Sequence, residues 1–248
     1  MSKKNRAETR AERAAAAIIE QQRAERRRRM MIIGGVLVAL VAIVVAGFLI
    51  QSGRDPVGEK LTAKSVPSGV TNTYAVVIGD KDAPKTVRVY EDFQCPICAE
   101  FEKATSEQLK AAVEAGRIKI DYRMVSFLDR ASTNNYSSRA LNAAAVVLDT
   151  SGPDVFWKFH GLLFENQTPE GGAGLTDDQL VEYAVQAGAS ESDVRPGIES
   201  NEFAKWVTNT QGEMSRDGVT GTPTVFVDGK KAGATLGDSI NAALEAAG

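Results

Sequence analysis

The segment TVRVYEDFQCPICAEFE, residues 86–102, sets two structural signals against a pair of thiols. Thr86 to Phe93 is dense in β-branched and aromatic side chains, the composition of a strand. Cys95, Pro96 and Cys98 come directly after it. Proline is tolerated at the first helical position, because the N–H it lacks has no intrahelical partner there. The spacing therefore predicts a helix with Cys95 near its N-cap, Pro96 at the first position and Cys98 one turn in. Phe101, Thr105, Leu109, Ala112 and Val113 continue at helical spacing, and Gly116 ends the element. Arg117 to Phe127, RIKIDYRMVSF, reads as a second strand. The unit is strand–helix–strand, with the dithiol where the first strand meets its helix.

Helical patterns fill the middle of the chain. Leu141, Ala144, Ala145 and Leu148 form one apolar stripe, ended by Gly152-Pro153. Phe156, Phe159, His160 and Leu163 form another, on which His160 reads as a packed helix residue. Thr176 and Gln179 have the spacing of a capping box, with Leu180, Tyr183, Ala184 and Ala187 behind them. Phe203, Trp206, Val207 and Thr210 mark a further helix, and Trp157 and Trp206 read as core or interface residues. GVTGTPTVFVDGKKAGA then gives a loop and a hairpin turning at Asp228-Gly229. Leu236, Ile240 and Leu244 close the chain on a last helix. Strands at both ends with helices between them predict an α/β fold interrupted by a helical domain.

The N-terminal part sets the compartment. Residues 2–29 carry ten Lys and Arg against four Glu, a net +6, ending in Arg26 to Arg29. Met30 to Ile50 is a run of 21 residues without a charge, and a spanning helix needs about 20. The positive-inside rule places the N-terminus in the cytoplasm and residues 51–248 outside. A cleaved signal peptide is the rival, but its apolar stretch would be roughly 7–15 residues long. The reading is therefore an uncleaved, single-pass signal anchor; no cysteine comes directly after the run to carry a lipid. Residues 51–73 are polar with Gly and Pro and read as a tether. The whole chain is −3, which leaves −9 for residues 30–248. An acidic outer domain argues against nucleic acid, whose recognition shows a basic footprint.

Outside the cytoplasm disulfides persist, and three uses of Cys95 and Cys98 compete. A structural zinc site needs four ligands, whereas the chain offers two Cys and one His. A purely structural bridge would close a very small loop and restrain little of the unfolded chain. Redox chemistry fits the context best, because a helix N-terminus carries unpaired N–H groups and partial positive charge that favour a thiolate.

GDKDAPKTVRVYEDFQCPICAEFE (79–102), VFWKFHGLLFENQ (155–167) and GVTGTPTVFVDGK (218–230) together resemble DsbA-like thiol:disulfide oxidoreductases, notably the membrane-tethered Gram-positive type. The resemblance covers nearly all of residues 74–248. It implies a thioredoxin-like fold with a helical insertion at about 130–216, preceded here by one transmembrane helix. It implies that Cys95 is the exposed attacking cysteine and Cys98 the buried resolving one, with Pro96 and Ile97 tuning the potential. It implies a cis-proline at Pro223, with Thr222 offering its backbone to substrate; read on its own, Pro223 could equally be a trans turn proline. It implies no cofactor beyond the Cys95–Cys98 disulfide and no metal. The partners implied are secreted or envelope protein thiols as substrates and a DsbB- or VKOR-type membrane oxidase for recycling.

Two positions depart from the family pattern. Ile97 stands where many members place a histidine, and Val89 where many bury an acid six residues before the first cysteine. Glu91 and Asp92 are the candidate substitutes for proton transfer, or else strand-end surface charges. The function expected is donation of the disulfide to newly translocated proteins. A reductase or isomerase, or a tethered binding module with a structural disulfide, are the alternatives.

Overall fold

A computed structural model describes residues 61–248. The basic segment, the apolar run and residues 51–60 of the tether, and with them the expected anchor, lie outside the described residues. Among the described residues no helix is long and apolar enough to cross a membrane.

Six strands form one sheet: β1 (Val70–Thr71), β2 (Ala75–Ile78), β3 (Lys85–Glu91), β4 (Ile118–Met124), β5 (Thr224–Val227) and β6 (Lys230–Lys231). Their order is β1-β2-β4-β3-β5-β6. β3 and β4 run parallel and the other pairs antiparallel. The parallel pair needs a crossover, and α1 (Pro96–Glu114) supplies it. β3 lies between β4 and β5, so it is paired along both edges, and Val87 and Val89 are wholly buried. The end of such a central strand delivers the next residues of the chain to the middle of the sheet's edge. Cys95 arrives there, four residues beyond Glu91.

The folded part begins before Tyr74, which corrects the tether boundary at residue 73. Val70 pairs with Val76, and Leu61, Val66 and Val70 pack against the core. A very short segment is enough for an added edge strand when the sheet already offers an open neighbour, and no long apolar run announces it.

The insertion comprises a 3-10 turn at Phe127–Ala131, then α2 (Tyr136–Ser151), α3 (Pro153–Glu165), α4 (Asp177–Ala187), α5 (Glu191–Ser200) and α6 (Ala204–Arg216). The expected second strand stops at Met124, short of Phe127. The capping box of Thr176 and Gln179 is formed. Helix α5 carries no apolar stripe in the sequence beyond Val194 and Ile198, and Pro196 lies inside it. It is held by Asn142, whose Nδ2 donates to the carbonyl of Gly197 at 3.1 Å. Close approach demands glycine at position 174. The φ of Gly174 is +70°, and a Cβ there would fall on the Tyr136 side chain.

The last helix, α7 (Leu236–Ala247), packs on α1 and buries Ser239, Ala243, Ala246 and Ala247. This rotates the buried face from the expected Leu236, Ile240 and Leu244 stripe. Small side chains let the two helices approach closely, and Leu236 and Ile240 stay half-buried at the edge. The Asp228-Gly229 turn joins β5 to β6, with both residues at positive φ (48° and 77°), as a tight hairpin turn of this type requires.

Candidate active site

Cys95 is the N-cap of α1, and Pro96 fills the first helical position. The N–H groups of the first turn are therefore aimed at the Cys95 side chain. Both cysteines are free thiols. Cys95 is 5% exposed and Cys98 0%, which corrects the expectation of an exposed attacking cysteine. The loop before β5 covers it: the Thr222–Pro223 peptide bond is cis, and Cys95 Sγ lies 3.4 Å from the Thr222 carbonyl, to which it donates in its protonated form. Ile97 is 47% exposed and lines an open groove beside Cys95 together with Thr222, Pro223 and Leu236. Chain segments more than a hundred residues apart thus meet on one thiol.

The two thiols are unequal. The Cys95 pKa is brought down to about 6, chiefly by a hydrogen bond from the Cys98 thiol. The Thr222 side chain and the N–H groups of Cys98 and Ile97 add to this, against the opposing effect of burial. Burial pushes the Cys98 thiol well above its ordinary range, and the nearby charge of Glu91 pushes in the same direction. At neutral pH Cys95 is the thiolate and Cys98 holds its proton.

Glu91 and Asp92 are both 0% exposed, so neither is a strand-end surface charge. β3 ends beneath the insertion, and the chain turns inward there rather than out to solvent. Asp92 is a tie point. Its carboxylate accepts from the N–H of Gln94 at 2.9 Å, the N–H of Leu128 at 3.0 Å and the Ser137 hydroxyl at 2.6 Å. One side chain thus joins the cysteine loop, the 3-10 turn and α2. Burial raises its pKa to about 6. Gln167, just beyond α3, clips the same loop from the other side, donating to the carbonyls of Phe93 at 2.9 Å and Cys95 at 3.0 Å.

Glu91 belongs to a different group. Its Oε2 lies 3.0 Å from His160 Nε2. Glu102, on α1, completes a cluster in which one oxygen or nitrogen from each side chain lies within 4.8 Å of the others, and all three residues are buried. Among the described residues this is the one grouping whose atoms could converge on a metal ion. His160 is more than a packed helix residue: its ring is walled by Phe93, Tyr122, Phe156 and Phe164, and burial lowers its pKa and keeps it neutral. Glu102 sits four residues after Cys98, one turn along the same helix face, which was the signal available in the sequence. Val89, at the position where an acid is often buried, is packed in the core between β4 and β5. Of the tryptophans, Trp206 is buried and donates to the Thr73 carbonyl at 2.7 Å, and Trp157 is half-buried and donates to the Tyr122 hydroxyl at 3.3 Å.

A family model described as Thioredoxin matches residues 71–246. Oxidised DsbA of Mycobacterium tuberculosis is 32% identical, with a TM-score of 0.58 over 70% of this chain and 100% of that one. MdbA of Corynebacterium diphtheriae, a thiol-disulfide oxidoreductase, is 27% identical, with a TM-score of 0.59 over 77% of this chain and 98% of that one. The serine/threonine-protein kinase PknE of Mycobacterium tuberculosis is 28% identical over 158 residues, 61% of this chain and 28% of the kinase. The chain thus spans little more than a quarter of that kinase's length.

Proposed function

The chain belongs to the thioredoxin family, and from that premise we propose that it is a DsbA-like thiol:disulfide oxidoreductase that donates the Cys95–Cys98 disulfide to newly translocated proteins. The observation that carries the reading is the inequality of the two thiols: a thiolate at the helix N-cap above a buried thiol that keeps its proton. A low thiolate pKa stabilises the reduced form and so makes the disulfide a stronger oxidant.

A substrate thiolate attacks Cys95 Sγ. The S–S bond breaks, and its electron pair goes to Cys98 Sγ. A second substrate thiolate then attacks the substrate sulfur of the mixed disulfide, and Cys95 leaves as a thiolate. The substrate departs oxidised and the enzyme reduced. The substrate chain lies extended along Thr222 beside Pro223, in the manner of an added strand, with exposed Ile97 beneath it. Reoxidation falls to a quinone-linked membrane oxidase of the DsbB or VKOR type. Residues 30–50 anchor the enzyme in a bacterial cell membrane, with residues 1–29 cytoplasmic and the thioredoxin-fold domain outside.

The test is the fate of the two cysteines in the full chain. Cys95→Ala abolishes thiol oxidation, and Cys98→Ala accumulates mixed disulfides with substrate. Full activity in either variant contradicts the scheme. Equilibration with glutathione buffers gives the direction of flow: a potential near ~−120 mV marks a strong oxidant and one near ~−270 mV a reductase.

A further inference from the structure

Two open grooves meet at Thr220, just ahead of the cis-proline. The first has a volume of about 350 Å³ and runs from Ile97 past Pro223 to Leu236 at the start of α7. The second has a volume of about 520 Å³ and lies between the 3-10 turn, with Phe127 and Leu128, and Met214 of α6. Thr220 lines both. Each groove has one charged residue in its lining, and both are cations: Lys231 in the first and Arg130 in the second. Both residues are exposed. Among the described residues neither makes an ion pair, whereas Arg88, Arg123, Arg139, Arg195 and Arg216 all do. The acids nearest to them in sequence are engaged elsewhere. Asp129 accepts from the N–H and the hydroxyl of Ser138. Asp228 accepts from the Thr86 N–H at 2.9 Å, and Asp238 from the Thr235 N–H at 3.0 Å.

A solvated lysine or arginine is ordinary on a protein surface. These two differ in their setting. Residues 30–248 carry −9 in all, the whole-chain −3 less the +6 of residues 2–29, yet no acid lines either groove. Such a surface repels acidic chains everywhere except along this path. Charges placed in this way fix partner choice more than raw affinity. Between the two cations the path is apolar, through Ile97 on one side and Phe127 and Leu128 on the other. An extended chain crossing Thr222 in the manner of an added strand therefore meets a cation, an apolar stretch and a second cation.

We propose that the substrates are cysteine segments with acidic residues on both sides of the cysteine, Lys231 receiving one carboxylate and Arg130 the other. The proposal rests on the oxidoreductase reading and deepens it by naming the chemistry of the substrate chain. The cations take no part in the exchange of sulfurs. They select which chain lies over Cys95, and so act as specificity-determining residues.

The experiment uses the oxidised full chain and three peptides that share one cysteine and a leucine beside it. The flanks on both sides are glutamate in the first peptide, glutamine in the second and lysine in the third. Acids beside a cysteine raise its pKa, so second-order rates of disulfide opening are normalised to the peptide thiolate concentration. The wild type opens about three- to tenfold faster with the glutamate peptide than with the glutamine peptide, as two exposed ion pairs allow. Lys231→Gln and Arg130→Gln each lose part of that ratio, and the double variant brings it to about one. Lys231→Glu with Arg130→Glu reverses the order, so that the lysine peptide is fastest. A wild-type ratio of one, or a ratio that survives the double variant, overturns the proposal. So do equal peptide rates together with slower reoxidation of the double variant by membranes carrying a quinone-linked oxidase, since the cations would then serve the recycling partner. Dithiothreitol separates the two readings. A wild-type disulfide that dithiothreitol opens, with no preference among the peptides, sinks this proposal alone. A disulfide inert to dithiothreitol and to all three peptides removes the oxidoreductase reading, and the proposal with it.

Discussion

Replacing Thr222 with valine removes one hydroxyl from the active site and leaves its shape and backbone carbonyl in place. The Thr222 hydroxyl is buried and has no hydrogen-bond partner while Cys95 is a thiol; it lowers the Cys95 pKa by serving the thiolate, so its loss is felt there. A hydrogen bond to a charged group contributes about 1.5–3 kcal/mol, and one pKa unit corresponds to about 1.36 kcal/mol. Taking the lower figure for a sulfur acceptor, Thr222→Val raises the Cys95 pKa from about 6 by roughly one unit. The stability consequence has a definite sign. A folded pKa near 6 against an unfolded 9.0 stabilises the reduced form fully above pH 9, and the effect is lost as pH falls through 6. At pH 7 the gain is roughly 1.4 kcal/mol, or ~30 mV of oxidising strength for a two-electron couple. The variant loses most of that. The assay is ultraviolet thiolate absorbance of the reduced protein against pH, with urea unfolding of both redox forms at pH 7. An unchanged midpoint would refute the reasoning, and would leave the Cys98 thiol and the helix N–H groups to hold the thiolate unaided.

The same geometry carries further outcomes. Asp92→Ala strands three donors in the core, at about 1–3 kcal/mol for each unsatisfied group, so urea unfolding should show a loss of roughly 3 kcal/mol or more. Asp92→Asn, which keeps an acceptor oxygen, should lose less. Gly174→Ala combines a positive φ with a collision against Tyr136, and should lower the thermal midpoint clearly. Gly116→Ala has the same sign of φ but open space around it, and should cost about 1 kcal/mol.

The parts legible in the sequence are those that local chemistry dictates. The strand, the N-cap cysteine, the proline behind it, the Thr176 capping box and the Asp228-Gly229 turn each depend on residues a few positions apart. The parts that were not legible depend on what lies across the core. Nothing near Glu91 in sequence indicates burial; the partner that receives it, His160, is 69 residues away. Glu102 looks like any helix carboxylate until α3 is laid over it. Asp92 reads as a surface charge until Leu128 and Ser137 arrive with their donors. Helix α5 escaped because its few apolar residues, Val194 and Ile198, form no stripe, although the helix packs on both α2 and α4. The inward turn of α7 escaped because alanines that permit close helix approach look weaker than the leucines beside them.

The sheet order has a consequence for how the protein comes into being. The strand that leads to the cysteines is paired with the last long strand of the chain, Val89 lying opposite Val225. A ribosome delivers Cys95 and Cys98 well over a hundred residues before Thr222. Throughout that interval the pair has no cover, no matched acceptor and no closed sheet edge, and contacts so distant in sequence are slow to form. The nascent chain is therefore itself an unfolded dithiol, the kind of thiol pair on which the proposed disulfide donation acts.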